Sequence, residues 1–205
     1  GLVAAALYFG PYGQPQTNEN GERLTAAGVI DPRRAEGGLV YGSQRADTTI
    51  VEFSDIRCGY CAQLHPTLKQ LIDESNGAIK WEYRHLPVVG GELSLKGAVA
   101  IECVADLRDT DTAWDFIDTI FANRQQLSDQ FYIQEATALG IAESDLMTCL
   151  SDPTQIAQVQ ADQQMGRQLG ASGTPFSVII YADGTTRPVR GALQLSDWQS
   201  LFPNQ

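Results

Sequence analysis

Apolar residues recur along this chain in two periods, and the alternation between them outlines the fold. "TTIVEF" (48–53) is a β-branched run suited to a buried strand. A helix is predicted from Gly59 to Ser75, with Leu64, Leu68, Leu71 and Ile72 on one face. His65-Pro66 is expected to kink it, because proline removes a backbone donor, and Asn76-Gly77 ends it. "IKWEYRHL" (79–86) alternates Ile79, Trp81, Tyr83 and His85 as a second strand. From about 92 to 169 the pattern turns helical: Leu95, Val99 and Cys103 at fourfold spacing, Trp114, Ile117 and Phe121 on one stripe, and a helix capped by Asp152-Pro153. "PFSVIIY" (175–181), the turn "ADGT" and "TRPVRG" read as a hairpin, and Ser196 caps a final helix with Trp198, Leu201 and Phe202. Without the helical stretch this is a small α/β sheet with a βαβ start.

Residues 1–47 read differently. "GLVAAALYFG" is apolar and uncharged after Gly1, which suits either the tail of an anchor segment or a helix packing on the domain or on a second copy. Residues 11–38 are rich in turn formers and read as a linker. We therefore expect an N-terminal segment over 1–47 and one domain over 48–205, with the helical insertion at about 92–165.

Net charge is −11, from 14 basic and 25 acidic residues. With no basic stripe to neutralise phosphates, nucleic acid is excluded as a partner, and so is docking on anionic lipid.

Chemistry concentrates at "CGYC" (58–61), where the first strand gives way to the first helix, the end at which α/β folds carry their sites. A cysteine at a helix N-terminus faces unpaired amides and the positive end of the macrodipole. Both favour thiolate, so Cys58, with Arg57 beside it, is expected to titrate below ~8.5 and to attack. Cys61, one turn further in, would resolve the mixed disulfide. Zinc needs four ligands, usually as two close pairs; here there is one pair, with only His65 and His85 to supplement Cys103 and Cys149. Neither a metal nor a cofactor is expected. Glu52, in the apolar strand below the pair, is a candidate proton relay raised by desolvation. Cys103 and Cys149 are either two buried thiols or a structural bridge between two insertion helices, and we expect the bridge. "SGTPF" (172–176) marks unusual backbone before a strand.

"VEFSDIRCGYC", "IECVADL", "CLSDP" and "GRQLGASGTPFSVI" together resemble the Dsb branch of the thioredoxin superfamily, over roughly 48–203. The resemblance implies an α/β thioredoxin fold with an inserted helical domain. It implies a cis-proline loop, Thr174-Pro175, lying against the thiols and offering backbone hydrogen bonds to a peptide, and it sets Glu52 on the family's buried acidic position. The insertion with Cys103 and Cys149 resembles DsbA-type proteins, whereas Gly59-Tyr60 and the threonine before the proline resemble DsbC-type isomerases. Tyr60 stands where DsbA-type oxidases often carry a thiolate-stabilising histidine, which points to a weaker oxidant.

The expected function is a periplasmic or extracytoplasmic thiol-disulfide oxidoreductase, DsbA-like in direction, acting on unfolded or misfolded protein substrates and served by a membrane redox partner. Tethering through a segment upstream of Gly1, or homo-oligomerisation through the N-terminal segment, would fit the apolar start. The alternatives are a DsbC-like isomerase or reductase, and a chaperone or copper-handling binding protein. Copper(I) favours soft thiolates, but 2 Met and 2 His supply no supporting tract.

Overall fold

The computed structural model describes residues 38–202, and the expected anchor or oligomerisation helix at residues 1–10 lies outside them. Five strands are β1 (Leu39–Gly42), β2 (Thr48–Ser54), β3 (Ile79–His85), β4 (Phe176–Ile180) and β5 (Thr186–Arg190), in the order β1-β3-β2-β4-β5. β2 and β3 run parallel, with Glu52 opposite Tyr83 and Ser54 opposite His85. They are joined by α1 (Gly59–Glu74), which makes the expected βαβ unit. β4 pairs antiparallel with β2, β5 with β4, and β1 with β3.

β1 lies ahead of residue 48, where the domain is expected to begin. Its four residues, inside the expected N-terminal segment of 1–47, form an edge strand that buries Leu39 and Val40. At the other edge β5 carries Pro188, tolerated there because an edge strand need not donate on both sides. β4 begins at Phe176 rather than Pro175.

Strand alternation in β2 divides the interior. Ile50 joins the larger apolar cluster, which includes Leu64, Leu68, Trp81, Trp114 and Trp198. Val51 and Phe53 face the other way, among Leu86, Met165, Leu169, Phe176 and Val178.

Five helices separate β3 from β4: α2 (Glu92–Leu107), α3 (Thr110–Ala122), α4 (Asp129–Ala138), α5 (Glu143–Leu150) and α6 (Pro153–Gln168). Local chemistry starts three of them. Asp109 accepts from Thr112 N–H, Ser128 from Phe131 N–H and Asp152 from Thr154 N–H, the last with Pro153 in the first turn. α6 is only partly an insertion helix. Its start packs with the insertion through Val159, while Met165 lies on the second face of the sheet and Gly166 lets the helix approach Phe53. The last helix, α7 (Leu195–Ser200), starts at Gln194, so Ser196 lies inside it and does not cap it. Among the described residues no helix is long and apolar enough to cross a membrane.

Two of the contacts that hold the insertion over the redox end of the sheet involve α2. Gly97 of α2 is necessary for one: a Cβ there would sit 2.1 Å from Ile56 Cδ1 and 2.6 Å from the Tyr132 hydroxyl. The other is a polar network. Arg84 pairs with Glu82 and with Asp162 of α6, and His85 Nε2 meets Glu102 of α2 at 2.8 Å. Burial of these charges is tolerable because each has an opposite partner.

Cys103 of α2 and Cys149 of α5 are bridged across a sequence separation of 46. The chain-entropy relation gives up to about 4 kcal/mol for a loop of this size. Replacing both cysteines by alanine should lower the denaturant midpoint accordingly and leave the Cys58–Cys61 pair reactive. An unchanged midpoint, or two extra free thiols in the unfolded oxidised protein, would contradict the bridge.

Candidate active site

β2 ends at Ser54 and α1 begins at Gly59, so four residues make the turn that delivers the first cysteine. Asp55 organises that turn. Its backbone carbonyl accepts from Cys58 N–H (2.9 Å), and its Oδ1 accepts from Arg57 N–H (2.8 Å) and from the Ser94 hydroxyl (2.7 Å). Its Oδ2 accepts from Val88 N–H and Val89 N–H, both at 2.7 Å. One buried carboxylate thus ties the redox turn to the loop after β3 and to the start of α2. An aspartate three residues before a helix-starting cysteine is an Asx-turn signal, which could have marked it from the sequence.

Cys58 occupies the N-cap position of α1 in extended conformation. The first turn contains no acidic residue to oppose a negative sulfur. Cys58 is 6% exposed and Cys61 is 0% exposed, so only Cys58 meets solvent. Its Sγ also lies 3.4 Å from the Thr174 carbonyl oxygen, and the Thr174–Pro175 peptide is cis. The Cys58 thiol is held down at about 5, first by a hydrogen bond from Cys61 and then by Thr174 and the Cys61 and Tyr60 amides, against the opposing effect of burial. Cys61 is driven the other way, raised by burial, by the Cys58 sulfur and by the charge of Glu52.

Glu52 lies 1% exposed on the face of β2 that looks toward the thiol pair, and neither carboxylate oxygen has a hydrogen-bond partner. Burial raises it to about 8, only partly offset by the Ser54 hydroxyl and the Trp81 indole.

The structure therefore gathers Cys58, Gly59, Tyr60, Cys61, Glu52, Thr174 and Pro175 at one end of the sheet, while Cys103 and Cys149 stand apart inside the insertion. Tyr60 is 65% exposed and so free to meet another molecule. Arg124, just beyond α3, escaped the sequence patterns. It donates from Nη1 to the Arg57 carbonyl (3.3 Å), and its Nη2 would lie 3.7 Å from a side chain at Gly59. Only the packing of the insertion brings it there. α1 is also tied to α3 directly, with His65 Nε2 and Lys69 Nζ each 2.5 Å from Asp118.

One group has a ligand-like donor set: His85, Glu102 and Asp162 lie within 4.8 Å of one another. Within this group Arg84 Nη1 faces Asp162 at 3.0 Å and His85 Nε2 faces Glu102 at 2.8 Å.

The family described as Thioredoxin matches residues 34–201. A Na(+)/H(+) antiporter NhaA 1 from Salinispora arenicola is 26% identical over 146 residues, covering 71% of this chain and 22% of the antiporter's length. The chain thus spans about a fifth of that relative. Disulfide bond formation protein D from Bacillus subtilis is 27% identical over 152 residues, covering 68% of this chain and 66% of that protein. Among solved structures, the thiol-disulfide exchange protein alpha-DsbA2 from Wolbachia pipientis superposes with a TM-score of 0.73 at 26% identity, covering 86% of this chain and 93% of the other.

Two outcomes follow from the opposed environments of these side chains. Alkylation of the reduced protein at pH 6 should label Cys58 alone, with its rate falling as pH drops through about 5; labelling of Cys61 first would reverse their roles. The second concerns Glu52, whose folded pKa lies above its unfolded value of 4.5. Ionisation therefore costs the folded state nothing below pH 4.5 and progressively more up to about 8. Glu52→Gln should gain stability over the parent by roughly 1.4 kcal/mol per pH unit across that window, and equal stabilities at pH 4 and pH 8 would contradict it.

Proposed function

The chain belongs to the Dsb branch of the thioredoxin family, and from that premise we propose that it is an extracytoplasmic thiol-disulfide oxidoreductase that passes the Cys58–Cys61 disulfide to folding proteins, as a DsbA-like oxidase. The observation that carries this reading is the stabilised Cys58 sulfur. A thiolate favoured at the helix N-terminus makes the dithiol form comfortable, and the disulfide form correspondingly ready to accept electrons.

In the oxidising direction a substrate thiolate attacks Cys58 Sγ, the Cys58–Cys61 bond breaks, and Cys61 leaves with the electron pair. A second substrate thiolate then attacks its own sulfur in the mixed disulfide. Cys58 departs as a thiolate, and its low pKa makes it a fast leaving group. The enzyme is left reduced and the substrate carries a new disulfide. Thr174 and Pro175 line the approach to Cys58, with the Thr174 carbonyl within reach of an incoming peptide's N–H, and exposed Tyr60 adds apolar contact.

Three features favour the extracytoplasmic setting and the partners that go with it. The Cys103–Cys149 bridge suits an oxidising compartment. Consumption of one disulfide per cycle requires an oxidant to regenerate the pair, the role proposed for a membrane redox partner. The apolar run at residues 2–9 suits a tether upstream of Gly1 or an oligomerisation contact. The substrates are unfolded or misfolded proteins with accessible thiols.

A reduced, unfolded protein with one native disulfide serves as the assay. Oxidised enzyme should form that disulfide stoichiometrically and Cys58→Ser should abolish the reaction, while Cys61→Ser, offered the disulfide-bonded substrate for its Cys58 thiolate to attack, should accumulate enzyme–substrate mixed disulfides. Full activity in Cys58→Ser would overturn the proposal. Faster rescue of a scrambled substrate than oxidation of a reduced one would replace the oxidase with the isomerase reading.

A further inference from the structure

A guanidinium lies beside the redox turn with most of its hydrogen-bonding capacity unused. Arg124 belongs to the insertion, at the second position of a turn closed by Gln126 N–H on the Asn123 carbonyl (2.7 Å). The Asn123 side-chain amide ties that turn to α3 by donating to the Thr119 carbonyl (2.9 Å), and Leu127 just after it is buried. From this fixed base the side chain crosses to another element. Nη1 donates to the Arg57 carbonyl (3.3 Å), and a side chain at Gly59 would meet Nη2 at 3.7 Å. An arginine carries five N–H donors, and among the described residues the Arg57 carbonyl is the acceptor that Arg124 has. Few covalent bonds separate that carbonyl from Cys58 Sγ, so the guanidinium stands within about 9 Å of the reactive sulfur.

Three acids of the flanking elements are already engaged. Asp55 is buried and accepts from three backbone amides and the Ser94 hydroxyl. Asp118 takes His65 and Lys69, and Asp129 takes Lys96 at 2.7 Å. On a chain of net charge −11, the approach to Cys58 therefore carries a positive head, with no acid in the first turn of α1 to answer it.

We propose that Arg124 is a specificity-determining residue, which selects among the proteins this enzyme oxidises those cysteines that have a carboxylate beside them. The inference rests on the exchange reading above and adds a substrate preference to it. When a substrate sulfur approaches Cys58, the residue next to it has its Cα about 3.8 Å from that of the reacting cysteine, and an aspartate or glutamate side chain spans the gap to the guanidinium. The planar fork offers that carboxylate two parallel N–H groups, whereas a substrate lysine at the same place is repelled. Arg124 touches no bond that changes, so its effect lies in how readily each substrate enters.

Three reduced peptides test this, each with two cysteines and differing only in an aspartate, an asparagine or a lysine beside the first. The second-order rate constant for their oxidation by the oxidised enzyme is measured at neutral pH and low salt. The flanking charge alters each peptide's own thiol equally for every enzyme variant, and any change at Cys58 is common to all three peptides. The aspartate-to-lysine ratio, compared across variants, thus isolates recognition, and the asparagine peptide reports whether each variant is folded and active. Arg124→Gln should lower the ratio about fivefold and Arg124→Glu about thirtyfold, the scale of a partly exposed charge pair removed and then reversed. Arg124→Lys should retain most of it. At about 1 M salt, where the Debye length falls to about 3 Å, the ratios of all these enzymes should converge. A ratio unchanged in Arg124→Glu would overturn the recognition while leaving the exchange reading standing. Failure of the oxidised parent to oxidise any of the peptides would overturn that reading and the recognition with it.

Discussion

A negative sulfur is well tolerated at the N-cap of α1 and poorly tolerated one turn further in. At Cys58 the amides of Tyr60 and Cys61 point outward at the sulfur; at Cys61 the same helix has closed its hydrogen bonds and water is gone. The rest of the site serves this asymmetry. Asp55 holds the turn that sets the helix start, and the Thr174 side chain, just ahead of β4, lowers the proton affinity of the Cys58 sulfur. Moving the helix start by one residue would remove the distinction between the two cysteines.

That asymmetry has a cost, carried by groups buried without complete partners. Glu52 is the clearest, a carboxyl in an apolar strand whose ionisation the fold resists. Natural interiors leave few such groups, and they concentrate where chemistry needs them. The polar network around the C-terminal end of β3 behaves differently. Arg84 pairs with Glu82 and Asp162, His85 meets Glu102, and these contacts tie the sheet to α2 and α6. One buried polar set is satisfied and holds the domains together; the other is unsatisfied and sits below the thiols.

Much of this was legible in the sequence, for identifiable reasons. β2, β3 and α1 carry strong periodicities, and the cysteines mark the junction between strand and helix. Glu52 was legible because strand alternation sets it opposite Val51 and Phe53. β1 was not, since a four-residue edge strand gets its stability from pairing with β3 rather than from its own pattern. Arg124 was invisible for a related reason. Its neighbours come from a distant segment, and an arginine after a helix has no local signature of what it faces. The cap of α7 was misjudged because Ser196 has the right chemistry, but the chain enters that helix two residues earlier, at Gln194.

The claim that one sulfur is ionised and the other is not has a direct thermodynamic consequence. Reducing the pair takes up two electrons and, above the Cys58 pKa, only one proton. Equilibration of Cys58–Cys61 with glutathione across a pH series should therefore give a potential falling by about 30 mV per pH unit between pH 5.5 and pH 7.5. Below about pH 5, where Cys58 binds its proton, the slope should double. A slope of about 59 mV per unit throughout would mean that both sulfurs are protonated on reduction, and would contradict the account at its centre.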